Sequence, residues 1–131
     1  MNKISVTVIT KNEEKNISDC LKSVAWADEI IVVDSESTDR TVELAKQFTD
    51  KIFIRKWEGY VPQKRYALSL AANEWVLSLD ADERITPELK DEIINLSPGD
   101  YSGFQNQKKK FSTQKRNYKL RLGEGLSAKT F

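Results

Sequence analysis

The chain has 131 residues, with 21 Lys and Arg against 20 Asp and Glu, 39% hydrophobic residues, one cysteine and no histidine. That length and composition fit one soluble globular domain, and no apolar run approaches the length of a membrane span. The missing histidine excludes His-ligated zinc, imidazole bases and Ser-His-Asp triads, and a lone cysteine excludes a disulfide framework.

The first ten residues are too sparsely apolar for a secretory signal, so a cytoplasmic location is expected. Charge is unevenly spread. Residues 1–105 carry 13 basic and 19 acidic side chains, whereas residues 106–131 carry 8 basic and one acidic, Glu124. A basic tail on an acidic body is most often a solvated or irregular end; its functional uses are an anionic membrane surface, a phosphorylated acceptor or nucleic acid. Phe111, Tyr118 and Phe131 interleave irregularly with the lysines and no RNA-binding motif occurs, so no nucleic-acid partner is expected.

Residues 3–10 alternate Ile4, Val6 and Val8 and predict a β-strand, followed by Asn12-Glu13-Glu14 as the acidic start of a helix. Ile17, Leu21 and Val24 recur at helical spacing, and Cys20 falls on the same apolar face, where packing explains it. Ile30-Ile31-Val32-Val33 is a continuous apolar run of the kind a buried parallel strand shows, ending at Asp34. Ser35-Glu36-Ser37-Thr38-Asp39 supplies a turn and cap before a second helix face of Val42, Ala45 and Phe48.

A third strand is expected over residues 52–54 and a third helix from about Pro62, with Ala67, Leu70 and Ala71 inward. Residues 75–79 form a fourth strand, and Thr86-Pro87 caps a helix buried through Leu89, Ile93 and Leu96. Residues 101–104 are a candidate further strand. Beyond them little apolar periodicity remains and no element is assigned. Trp26, Trp57 and Trp75 read as packing residues.

Strand–helix alternation four times over predicts an α/β, doubly wound, mostly parallel sheet with helices on both faces. Ligands of such sheets bind outside the carboxyl ends of the strands. The polar residues gather there: Thr10-Lys11-Asn12-Glu13, Asp34, and Asp80-Ala81-Asp82. If the chain leaves the fourth strand extended, Asp80 and Asp82 point the same way, giving two oxygen donors suited to Mg2+ or Mn2+ with a diphosphate. No glycine-rich dinucleotide or Walker loop occurs among the five glycines, so a nucleotide would be held by carboxylates and a metal instead.

The segments Thr10-Lys11-Asn12-Glu13-Glu14, Val32-Val33-Asp34-Ser35-Glu36-Ser37-Thr38-Asp39-Arg40-Thr41 and Val76-Leu77-Ser78-Leu79-Asp80-Ala81-Asp82-Glu83 resemble family 2 glycosyltransferases of the GT-A fold. Their spelling is most similar to the bacterial lipopolysaccharide-core β-1,4-glucosyltransferase-like branch. The resemblance implies a nucleotide-sugar donor, with UDP the expected nucleotide, and inverting hexose transfer to a saccharide or lipid-linked acceptor. It implies that Thr10 belongs to the nucleotide-sugar site, that Lys11 and Glu13 line the base and ribose, that Asp34 reads the base, that Asp80 reaches ribose and metal, and that Asp82 is the more direct metal ligand. Lys64, in Pro62-Gln63-Lys64-Arg65-Tyr66-Ala67, stands where the family often has an arginine.

The resemblance covers residues 3–100, so residues 1–105 read as a nucleotide-sugar-binding half-domain. Residues 106–131 read as a basic tail or a remnant of the acceptor half in a truncated chain. Tyr118-Lys119-Leu120-Arg121-Leu122 is weakly similar to a later segment of the same branch. The acceptor site and the general base of such enzymes lie beyond the match, and no catalytic base is assigned; Glu124 has no geometric claim to the role. Two rival readings stand beside this one. One is a phosphatase using Asp34 as nucleophile; the other is a catalytically silent nucleotide-binding module whose tail meets anionic partners.

Overall fold

The computed structural model describes residues 3–95 together with the strands at 109–113 and 116–122. Strand β1 (Ile4–Thr10) pairs in parallel with β2 (Glu29–Asp34) and with β4 (Trp75–Asp80), and β2 pairs in parallel with β3 (Ile52–Ile54). Every residue of β1 and β2 is buried. A parallel strand covered on both faces has no wet side, which is why β2 reads as an unbroken apolar run.

The two faces carry different helices. Ile4, Val6, Val8, Ile30, Val32, Leu77 and Leu79 pack against α1 (Ile17–Ser23), α2 (Thr41–Ala45) and α4 (Pro87–Ile94) through Ile17, Leu21, Ala45, Leu89 and Ile93. Ile9, Ile31 and Val33 face the other way, toward Ala67 of α3 (Tyr60–Leu70). Thr86 caps α4 by accepting from the Leu89 N–H at 3.2 Å, with Pro87 in the first turn, as its sequence predicts. Such a cap contributes about 1 kcal/mol.

Two expectations need correction. First, α1 begins at Ile17 and not at Asn12-Glu13-Glu14. The N–H groups of residues 12–14, which a helix start would leave unsatisfied, are taken by side chains of the loop after β2 and of Thr41, the first residue of α2. Second, Trp57 is not a packing residue. It is 46% exposed, whereas Trp75 is buried and Trp26 is half-buried against the main core.

The tail contributes structure where the sequence assigned none. Strands β5 (Lys109–Thr113) and β6 (Arg116–Leu122) pair antiparallel, and β6 joins β4 antiparallel with Leu122 beside Trp75 and Leu120 beside Leu77. The sheet order is β3-β2-β1-β4-β6-β5. The candidate strand at 101–104, Leu96 and Glu124 lie outside the described residues.

At the amino ends of the strands, opposite the candidate site, Glu29 is buried in a polar knot. It accepts from the Ser5 hydroxyl at 2.6 Å and the Ala72 N–H at 2.8 Å, and it pairs with Lys51. Burial alone would raise its pKa, but the bonds from Ala72, Lys51 and Ser5 outweigh burial and hold the carboxyl below its ordinary value. A carboxyl depressed in the folded state adds stability that is fully present above the unfolded glutamate pKa, about 4.3, and is lost as pH falls through the lower folded value. Glu29→Gln is therefore expected to cost about 1–3 kcal/mol at pH 7. Its cost should shrink between about pH 5 and pH 3, which denaturant unfolding across that range checks.

Candidate functional site

The carboxyl ends of β1 and β2 are joined by their own loops. Asp34, the last residue of β2, is fully buried, and its carboxylate accepts from the Ser37 N–H at 2.8 Å and from the Ser37 hydroxyl. Ser37 Oγ in turn accepts from the Asn12 N–H at 2.7 Å, and Asn12 Oδ1 accepts from the Thr38 N–H at 2.8 Å. Further along, the Glu13 N–H donates to Thr41 Oγ1 and the Glu14 N–H to Asp39 Oδ2. Asn12 and Glu36 adopt φ of 52° and 57° to make these turns. Asn tolerates the left-handed region well; for Glu it costs about 1 kcal/mol.

Thr10 is buried at the end of β1, its carbonyl accepting from the Ser35 N–H at 2.9 Å. Lys11 is exposed beside it, and Glu13 is half-buried, accepting from Asn16 Nδ2 at 3.0 Å. The sequence reading missed Gln63. This α3 residue is fully buried and donates from Nε2 to Ser35 Oγ at 2.8 Å. Among the described residues two buried side-chain polar atoms have no hydrogen-bond partner, Thr10 Oγ1 and Gln63 Oε1, and both belong to residues bonded to Ser35. Buried polar atoms are almost always paired, so these two mark unmet bonding capacity beside Ser35 at the ends of β1 and β2. Only the i, i+4 position of Gln63 relative to Ala67 hinted that it faces inward.

At the end of β4 the chain does not stay extended. The Glu83 N–H bonds the Asp80 carbonyl at 3.0 Å and closes a turn, while Glu83 Oε1 accepts from the Asp80 N–H at 2.8 Å. The strand alternation on which the expected convergence of Asp80 and Asp82 rested therefore stops at Asp80. Instead Ala81 is buried in the main core between the two half-exposed aspartates. Arg84 ties this turn to α1, donating to the Asp82 carbonyl at 3.2 Å and lying 3.3 Å from the Asp19 carboxylate. Cys20 lies beneath, its thiol pushed up to about 12 by burial and then by Glu83, so it is a packing residue without reactivity.

Lys64 does reach this strand end. Its Nζ lies 3.5 Å from Asp80 Oδ1 and 3.4 Å from Ser78 Oγ, with the side chain only 13% exposed. Tyr60, at the start of α3, donates its hydroxyl to Asp80, 2.8 Å from each carboxylate oxygen. Burial, then the hydrogen bond to Asp80, raises the phenol well above the usual tyrosine range.

Among the described residues no three or more His, Cys, Asp or Glu side chains converge on one point, so no all-protein metal cage exists. Asp80 and Asp82 fit a different arrangement. Mg2+ and Mn2+ commonly take one or two carboxylates and complete their shell with water and substrate phosphate oxygens.

The family model "Glycosyl transferase family 2" matches residues 5–126. The chain belongs to glycosyl transferase family 2. Within the family it is 52% identical over 94 residues to "Uncharacterized glycosyltransferase RT0209" of Rickettsia typhi, covering 71% of this chain and 32% of that protein. It is 34% identical over 98 residues to the lipopolysaccharide core biosynthesis glycosyltransferase LpsC of Rhizobium meliloti, covering 71% and 36%. The chain thus spans about a third of the length of these relatives.

Among solved structures it resembles S. aureus TarS in complex with UDP-GlcNAc, with a TM-score of 0.58 and 35% identity, covering 70% of this chain and 30% of that one. It also resembles the mannosyltransferase PcManGT from Pyrobaculum calidifontis in complex with GDP-Man and Mn2+, with a TM-score of 0.57 and 26% identity, covering 68% and 30%. The family's GT-A α/β fold is thereby the fold of this chain, and the expected kinship with lipopolysaccharide-core enzymes holds. Family membership also weighs against the phosphatase reading.

Proposed function

We propose that this chain is the donor-binding part of a glycosyltransferase: it holds a nucleotide-diphospho-sugar, with a UDP-sugar the first candidate, together with Mg2+ or Mn2+. In the whole enzyme the hexose passes, with inversion, to a saccharide or lipid-linked acceptor in cell-envelope polysaccharide synthesis. The observation that carries this reading is that Thr10, Asp34, Asp80 and Asp82 stand at or just beyond the carboxyl ends of three adjacent parallel strands, with Lys64 reaching Asp80 from α3. This is where ligands of doubly wound sheets bind.

Asp34 retains lone pairs beyond those used by Ser37 and serves as the acceptor for a base N–H. Lys11 and Glu13, which follow Thr10 at the end of β1, border the base and ribose. Asp80 and Asp82 hold the cation, and Lys64 places a compact positive charge beside the diphosphate. The bound cation supplies neutralisation of charge developing on the leaving diphosphate.

Among the described residues no helix is long and apolar enough to cross a membrane. We place the enzyme in the cytoplasm, with the basic segment 106–131 available for peripheral contact with anionic lipid. Lys109 and Lys110 lie on edge strand β5, where lysine also discourages edge-to-edge pairing.

Calorimetric titration tests the donor reading. UDP is expected to bind at least about 10-fold more tightly with Mn2+ than without it, as a cation bridging carboxylate and diphosphate requires. A folded chain that gives no heat with UDP or GDP in either condition would contradict it.

A further inference from the structure

Asp80 already has an occupant. The Tyr60 hydroxyl lies 2.8 Å from Oδ1 and 2.8 Å from Oδ2. A phenol carries one hydrogen, so equal distances place its oxygen between the two carboxylate oxygens and not along a lone pair of either. A cation bound by both oxygens of one carboxylate also sits between them. The hydroxyl and a chelated cation therefore exclude each other.

The surroundings make Tyr60 both held and able to leave. Lys64 Nζ stands 4.7 Å from its ring centroid and 3.5 Å from Asp80 Oδ1, linking ring and carboxylate through one cation. The ring of Trp57 lies 6.4 Å away at 59°. Yet Tyr60 is 48% exposed and Trp57 46% exposed, so no core packing resists their movement. Gly59, immediately before Tyr60, has φ 119° and ψ 160°, a conformation that glycine alone takes readily and that lets the chain turn into α3.

Resting on the donor-site reading above, we propose that Tyr60 is a positioning residue of that site: it fills the chelating position of Asp80 and yields it to the divalent cation that accompanies the nucleotide. The same movement ends the contact of Lys64 with the Tyr60 ring and leaves its contacts with Asp80 and Ser78 in place. The exposed Trp57–Tyr60 pair moves with it, so cation binding is coupled to the shape of the aromatic surface beside the site.

The test is Mn2+ binding to the full chain without nucleotide, followed by the electron paramagnetic resonance of free Mn2+, for wild type, Tyr60→Phe and Tyr60→Leu. Phe keeps the ring under Lys64 and removes only the hydroxyl. Its affinity for Mn2+ is expected to rise about 5- to 10-fold, the scale of one charge-assisted hydrogen bond no longer competing. Addition of Mg2+ and UDP should change tryptophan fluorescence in wild type and not in Trp57→Phe.

Unchanged or weaker Mn2+ binding by Tyr60→Phe, in a wild type that does bind Mn2+ with UDP, would overturn this proposal alone. Tightening in Tyr60→Leu without tightening in Tyr60→Phe would also contradict it, because the ring and not the hydroxyl would then be what yields. Failure of all three proteins to bind Mn2+ even with UDP would overturn the metal-dependent donor site itself, and this inference with it.

Discussion

Asp82→Asn is expected to lower the affinity for UDP in the presence of Mn2+ by about 30-fold or more while leaving the melting temperature within a few degrees, about the scale of a surface substitution. The asymmetry follows from position. Asp82 is half-exposed in the turn that follows β4, so its carboxylate contributes little to packing. As one of only two acidic side chains in the Asp80-Ala81-Asp82 segment, however, it is half of the proposed cation contact. Titration calorimetry and a thermal melt on the same sample separate the two effects. Equal UDP affinity in wild type and variant would contradict the assignment.

The largest effect on stability is expected at Leu77. It is fully buried in the middle of β4, packs in the main core, and is the register partner of Val6 on one side and Leu120 on the other. Leu77→Ala removes about three buried methylene equivalents and leaves a cavity between the sheet and the helices of the main core, for an expected cost of about 3 kcal/mol and a fall of about 10 °C in melting temperature. Leu70→Ala, half-buried at the margin of the α3 face, should cost about 1 kcal/mol. Circular dichroism melts of the two variants compare them directly. A smaller loss at Leu77 than at Leu70 would mean that β4 is not the centre of the fold.

The parallel half of the sheet was legible in the sequence because burial on both faces forces recognisable runs: Ile30-Ile31-Val32-Val33 has no polar alternation to confuse it with a surface strand. The Thr86-Pro87 helix start was legible for a local reason, since both residues act on the first turn alone. The start of α1 was not. Asn12, Glu13 and Glu14 have the composition of a helix opening, but their N–H groups are satisfied by Ser37, Thr41 and Asp39, residues 25 to 28 positions away. No local rule contains that competition.

The antiparallel pair β5–β6 was missed for two reasons. Residues 114 and 115 are Gln and Lys, without the glycine or Asn-Gly that advertises a two-residue hairpin, and the many lysines masked the alternation Tyr118, Leu120, Leu122. Residue identity alone singles out Asp34, Asp80 and Asp82 as candidates, whereas only their partners single out Tyr60 and Gln63. A tyrosine before a helix and a glutamine within one carry no signal until Asp80 and Ser35 are seen beside them.

Carboxylates closing β4 that hold a divalent cation against a nucleotide diphosphate would be directly visible by diffraction. The most direct measurement is anomalous diffraction from Mn2+ in crystals grown with UDP. One strong peak is expected about 2.2 Å from carboxylate oxygens of Asp80 or Asp82, with the diphosphate on its far side and the base toward Asp34. Ordered UDP with no peak at those carboxylates, or a peak there with the nucleotide bound elsewhere, would contradict that arrangement.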